Sequence, residues 1–366
     1  MRNIILLLAL ASLLPAADYK TQNLVLVTVD GLRWQEVFSG IDPELMQLKE
    51  AGMDEADALR DSLWADSAQE RRRRLLPFLW DELVPNGVIF GNPERNSQVV
   101  LNNKHHFSYP GYSEILTGRP QDDVIDSNDL RPNPSETVLE ILRREWELPS
   151  ERVALLGSWS VFHGIGARDA ASIFINAGYR EIPPPAPSSR LRLLSELQFE
   201  LLTPWPTVRH DYITFELALA YLETVKPRAL YIAFGETDDW AHDHRYDRVL
   251  EAAKYFDASM KVLWEAIQSN LAYRDKTTLL IATDHGRGAT PDTWNGHGAK
   301  IDGDEHVWLA AIGPDTPARG EAKDAPALTQ SDIAPTMLEL AGVDYMELEA
   351  VEGQPIDWII GAGGPN

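Results

Sequence analysis

Six residues of metal-ligand type close a set of apolar runs in this chain. NLVLVTVD ends at Asp30, and ALYIAFGETDDWAH reaches Asp238 and then His242. TTLLIATDH ends at Asp284 and His285, and NGHG places His297 twelve residues further on. Oxygen and imidazole ligands in such numbers suit one or two divalent cations, and hydrolysis is the chemistry they most often serve. Asp238 and His242 are four apart, so one helical turn would put both on one face. Asp239 and His244 compete for these places, but Asp238 lies nearer the strand end and has the i, i+4 partner. Any one of these histidines alone reads as a surface or core residue. Their joint placement at the ends of several strands is what points to a metal centre.

The elements that must bring them together are short and apolar. Strands are expected near 23–29, 87–92, 153–159, 229–235, 277–283 and 307–314. Helices are expected over 135–148, with Glu136 in its Ser-capped first turn, and over 210–227, 244–270 and a Ser-capped 331–343. This alternation predicts an α/β fold with a mostly parallel central sheet and helices on both faces. In such sheets ligands gather beyond the carboxyl ends of the strands, which would unite residues more than 250 positions apart. Residues 42–86 read as a helical insertion partly covering the site, with Arg71–Arg74 as a solvated helix face. PPPAPSSRLR at 183–192 reads as a linker-like loop. No internal repeat is present.

A nucleophile is sought between the first and later ligands, in FSYPGYSEILTGRP (107–120). Pro110 and Gly111 break the chain before a helix-like Tyr112–Leu116, so Ser108 falls near a helix N-terminus. Free N–H groups and the positive end of the helix dipole favour an alkoxide there. From local sequence alone, a plain N-cap serine is the favoured reading of Ser108.

The chain has 366 residues, 44% of them hydrophobic, which suits one large domain over 18–366. MRNIILLLALASLLPAAD has a basic start, an apolar stretch too short to span a bilayer, and small residues before Asp18. It reads as a signal peptide over 1–17, so a periplasmic or secreted protein is expected, with an uncleaved anchor as the alternative. No second run approaches a membrane span. Cys is absent, which excludes disulfides, thiolate ligands and a cysteine nucleophile. A net charge of −23 excludes a nucleic-acid duplex held by its backbone, but not a small phosphate ester reached through bound cations. Nothing in the sequence indicates an oligomeric state.

VTVDGLRW, SYPGYSEILTG, ETDDWAH, ATDHG and NGHG occur in the order found in the alkaline phosphatase superfamily, and together resemble its type I phosphodiesterase/nucleotide pyrophosphatase branch. The resemblance spans about residues 23–345. It implies a secreted phosphoric ester hydrolase with two metal ions, usually Zn²⁺, and a phosphoserine intermediate on Ser108. It implies that Asp30, Ser108, Asp284 and His285 hold one ion and Asp238, His242 and His297 the other. It also places Asn128, otherwise a turn residue, against phosphate oxygens. The sequence departs from the family pattern at Gly111-Tyr112 and at Trp240-Ala241, which leaves the substrate pocket open. The superfamily's sulfatases carry an arginine where this chain has Tyr112, which argues against sulfatase chemistry. Its cofactor-independent phosphoglycerate mutases are cytosolic, unlike a chain with a signal peptide. A sulfatase-like or phosphotransferase activity and a non-catalytic metal-binding role remain alternatives. Arg168 is a candidate for meeting the extra charge of a phosphate monoester.

Overall fold

The computed structural model describes residues 19–53, 56–184 and 186–361. The expected signal segment, 1–17, lies outside them. Eleven strands are present among the described residues: β1 (Asn23–Val29), β2 (Val88–Phe90), β3 (Val99–Val100), β4 (Val153–Gly157), β5 (Phe174–Ala177), β6 (Ala229–Phe234), β7 (Thr277–Ala282), β8 (His306–Val307), β9 (Leu309–Ile312), β10 (Gly320–Glu321) and β11 (Leu328–Thr329). Eight form one sheet in the order β10-β2-β9-β7-β1-β6-β4-β5, and β11-β3-β8 form a small second sheet. Within the large sheet β9 runs antiparallel to both its neighbours, while the other pairings are parallel. The expected 307–314 strand is therefore two pieces, His306–Val307 in the small sheet and Leu309–Ile312 in the large one.

β1 lies between β6 and β7, so the three strands that carry the predicted ligands are adjacent and point the same way. Successive side chains of a strand face opposite sides, and β1 is apolar on both. Val25, Val27 and Val29 enter one core, Leu24 and Leu26 the other. This is why the run reads as continuous rather than alternating. The first core is closed by the helices Asp211–Thr224 and Tyr246–Ser269, the second by Ser108–Thr117, Val138–Glu145 and Ile333–Leu340.

Several local expectations are corrected. The helix near 138 is capped by Thr137 in a reciprocal box with Glu140, not by Ser135. Near 331 the corresponding box is Thr329 with Asp332, and Ser331 instead donates to the buried Glu114 carboxylate at 2.9 Å. The last four residues of the linker-like 183–192 stretch open a helix, Ser189–Leu197, with Ser188 as its cap.

Residues 42–86 place Leu45, Leu63, Leu75 and Leu83 in the first core. Asp257 of the long helix ties the insertion down by accepting from the Phe78 and Leu79 amides at 2.9 Å each. The arginine run is only half solvated. Arg71 is buried and bonds the Ser39 and Ala65 carbonyls. Arg72 lies 3.4 Å over the Trp80 ring and pairs with Glu321. A long arginine stem can cover apolar surface while its head finds acceptors, which charge pattern alone does not reveal.

Candidate metal centre and nucleophile

Asp30 follows β1, and Asp284 and His285 follow β7 after one threonine. The helix Glu236–His242 begins just past β6 and turns Asp238 and His242 onto one face, as their spacing requires. His297 arrives on the 288–305 loop. All six residues meet beyond the carboxyl ends of three adjacent strands.

The distances define two foci. His285 Nε2 lies 3.3 Å from Asp30 Oδ1, 3.5 Å from Asp284 Oδ2 and 3.7 Å from Asp238 Oδ1. Ser108 Oγ is 3.5 Å from the same nitrogen. At the second focus His242 Nε2 is 3.0 Å from His297 Nε2 and 3.4 Å from Asp238 Oδ2. Asp30, Asp238 and His285 form one compact ligand group, and Asp238, His242 and His297 another. Asp238 thus borders both, between the two sets that the sequence suggested.

The chemistry of these atoms fits cations. Asp30 Oδ1 and Asp284 Oδ2 are buried with no hydrogen-bond partner among the described residues, and a buried unpaired carboxylate oxygen is costly. Burial, aggravated by Asp238 beside Asp30 and by Asp30 beside Asp284, pushes both carboxyls well above their usual range. Burial also opposes charge on Asp238, but the Arg287 guanidinium, with His242 and His297, holds it well below that range. Three carboxylates facing one buried guanidinium call for further positive charge. The imidazoles are set to receive it: Nδ1 of His285 is 2.9 Å from the Gly286 carbonyl, and Nδ1 of His297 is 2.9 Å from the His106 carbonyl. With Nδ1–H donating, each Nε2 offers a lone pair. Burial and the neighbouring His285 push His297 down to about 2, so it is neutral.

Ser108 is the first residue of its helix, and its hydroxyl caps nothing. The plain-cap reading therefore fails. Asn128 takes the capping role, its Oδ1 accepting from the Tyr109 amide at 2.9 Å. That leaves Asn128 Nδ2 without a partner among the described residues, on the wall of the cavity that Ser108 enters. Pro110 does not break the helix but sits inside its first turn, where no N–H is needed. Gly111 allows the helix to lie directly on a ligand-bearing segment: a Cβ there would meet the Asp284 carbonyl oxygen at 2.2 Å. Gly111→Ala is expected to push Ser108 off the centre. It should cost about 1–3 kcal/mol of stability and about 10²-fold in turnover, checked by thermal unfolding beside kinetics. Wild-type turnover with unchanged stability would contradict this packing account.

Sequence reading missed the residues that hold the ligands. Arg287, fully buried, bonds the Gly31 and Asp238 carbonyls as well as the Asp238 carboxylate. Gln330 donates to the Thr283 and Asp284 carbonyls at 2.6 and 2.8 Å. Tyr112 donates to Asp30 Oδ2 at 2.9 Å. Asp304 bonds His106 Nδ1 at 2.7 Å and accepts from the Gly298 amide, steadying both sides of His297. The adjacency of Arg287 to the DHG run was the one available signal.

The centre opens on a cavity of about 380 Å³ whose walls include Asp30, Ser108, Asn128, Asp238 and His242, and also Trp159, Trp205 and Asp239. Among the described residues no lysine or arginine lines it. Arg168 pairs instead with Glu349 at 2.5 Å, away from these walls. No residue of 42–86 lines the cavity either.

No family model and no curated protein matches the sequence. Solved structures do. A protein of the alkaline phosphatase superfamily from Vibrio parahaemolyticus aligns with a TM-score of 0.54 at 16% identity, over 88% of this chain and 67% of its own. The chain has the alkaline phosphatase-like fold. The alkaline phosphatase PafA aligns with a TM-score of 0.58 at 11% identity, over 93% of this chain and 99% of its own. A 2-O GAG sulfatase aligns with a TM-score of 0.54 at 16% identity, over 94% and 75%. Within this alkaline phosphatase-like fold, no helix of the described residues is long and apolar enough to cross a membrane.

Proposed function

We propose that the chain is a metal-dependent hydrolase of phosphate diesters, acting through a phosphoserine on Ser108. The observation that carries this is the Ser108 hydroxyl, which caps no helix amide and lies 3.5 Å from His285 Nε2, at the wall of a cavity that no described lysine or arginine lines. Asp30, Asp284, His285 and Ser108 would hold one divalent cation and Asp238, His242 and His297 a second. Two zinc ions so bound would supply fixed positive charge where the attacking and leaving oxygens become anionic.

The protein's own groups do the rest. Ser108 Oγ gives its proton to solvent water and bonds phosphorus, and the ester oxygen departs with the electrons of the broken P–O bond. Asn128 Nδ2 donates to a non-bridging oxygen. Water then attacks phosphorus, the P–Oγ bond breaks with its electrons on Oγ, and a proton from that water passes through solvent to restore the Ser108 hydroxyl. A diester brings one negative charge, whereas a monoester brings a second that this cavity meets with no cationic side chain. Sulfate esters also bring one charge, but Tyr112 stands where the superfamily's sulfatases carry arginine, and its hydroxyl is committed to Asp30.

Kinetics on an aryl phosphate diester, a phosphate monoester and a sulfate test this reading. The diester is expected to lead in kcat/KM by roughly tenfold or more, about one charge interaction. A lead for the sulfate or the monoester would replace it.

A further inference from the structure

We propose that Arg33, clamped by Glu36, positions the loop that carries His297 and so sets how tightly Asp238, His242 and His297 hold their cation. This rests on the two-cation reading above and names a positioning residue for the same centre. The described contacts of the Arg33 side chain are Glu36, Asp42 and the Gly288 carbonyl, none of them a candidate ligand. Its effect can therefore be separated from theirs.

Arg33 lies three residues beyond Asp30, in a turn that is held on both sides. The Gly31 amide donates to Asp284 Oδ1 at 3.1 Å, and the Leu32 carbonyl accepts from Trp308 Nε1 at 2.9 Å. The Arg33 and Glu36 side chains are only 3% and 1% exposed. They pair twice, Nε donating to Oε2 at 2.9 Å and Nη2 to Oε1. A two-point pair of this kind fixes the plane of the guanidinium. That aims Nη1 at the Gly288 carbonyl, 3.3 Å away. The Gly288 amide donates in turn to the Gly296 carbonyl at 3.0 Å, and Gly296 directly precedes His297.

The 288–305 loop contains neither helix nor strand. Ordering such a segment costs conformational entropy, and contacts that order it beforehand raise the affinity of whatever its ligand binds. Arg287 also grips the loop, at the Asn295 carbonyl, but it bonds the Asp238 carboxylate as well. Arg33 acts on the loop without touching a ligand. The 42–86 insertion meets the same clamp. The Asp42 amide donates to Tyr246 Oη, and Tyr246 Oη donates to Glu36 Oε1, each at 2.9 Å. The insertion lines no part of the cavity, yet its first residue braces the arginine that reaches toward His297.

Arg33→Lys tests this on the intact protein, with zinc titrated against a chelator and counted by elemental analysis. Lysine keeps a charge beside Glu36 but lacks the fork that reaches Gly288 at the same time. Losing a residue that orients a metal ligand typically costs about 10–100-fold in metal affinity. The second ion is expected to weaken by that factor while the first stays at wild-type affinity. Cobalt(II) absorption should change for the second ion alone. Turnover of whichever ester the wild type cleaves should return in excess zinc. If Arg33→Lys does not fold, Arg33→Met combined with Glu36→Leu removes both charges together, an exchange that folds often tolerate, and the same shift is expected. Both ions at wild-type affinity, or equal weakening of the two, would overturn the inference and leave the two-cation centre standing. Failure of both variants to fold would overturn it too, because the pair would then hold the fold rather than the loop. A wild-type protein that binds fewer than two ions would sink the two-cation reading and this inference with it.

Discussion

Ser108→Ala is expected to lose about 10⁴-fold or more in turnover while keeping nearly all its metal. On the proposed mechanism the substitution removes the attacking oxygen, and it leaves Asp30, Asp284 and His285 in place around the first focus. It removes no cap, because Asn128 already takes the Tyr109 amide. The helix should therefore stand, and thermal stability should change little. Rapid quench with labelled ester should show a phosphorylated wild-type enzyme and none in the variant. A variant that keeps more than roughly a tenth of the wild-type turnover would show that water attacks phosphorus directly. His297→Ala offers the contrast. It removes a ligand rather than a reactant, so rate and metal content should fall together.

Removal of metal is expected to abolish activity and to lower stability. Elemental analysis of the intact protein should give about two zinc ions per chain, the number of foci that the six ligands define. Each ion held at about a thousand times its dissociation constant adds about 4 kcal/mol to the folded state. Chelation should therefore drop the thermal midpoint by many degrees. It leaves Asp30 and Asp284 buried with raised proton affinity, so proton uptake should accompany loss of the ions. Readdition of zinc is then expected to release protons, which a weakly buffered solution reports directly. Full activity after exhaustive chelation would contradict the metal centre. Magnesium or calcium alone in the purified protein would contradict zinc.

All the candidate ligands but His297 were legible because they close a strand or sit at helical spacing just beyond one. Asp30, Asp238, His242, Asp284 and His285 are placed by local pattern plus one topological rule. Ser108 was legible as a helix-terminal residue, but its freedom was not. That depends on Asn128 reaching back to the Tyr109 amide, a contact no local pattern encodes. β5 was invisible because it is four residues long, FINA, with a polar residue in the middle. The pocket was unreadable for a related reason. Trp159, Trp205 and Asp239 belong to three separate segments that have no shared periodicity, and only the packing of the 198–208 loop against the β4 and β6 ends makes them neighbours. Arg71 and Arg72 show the same limit in the other direction. Four consecutive arginines read as solvent-facing, yet two of them found carbonyls, a carboxylate and an indole inside the fold.

The place of β1 between β6 and β7 bears on how the chain is made. Asn23–Val29 is the centre of the sheet, but its partners begin at Ala229 and Thr277. At about 5–20 residues per second, a ribosome needs on the order of 10–50 seconds after β1 emerges to deliver them. Throughout that interval a seven-residue segment without charge or proline, of the kind that seeds intermolecular strand pairing, has no native partner on either edge. Binding by a holdase during synthesis is therefore expected to matter more for the yield of this protein than for one whose first strand pairs with its second.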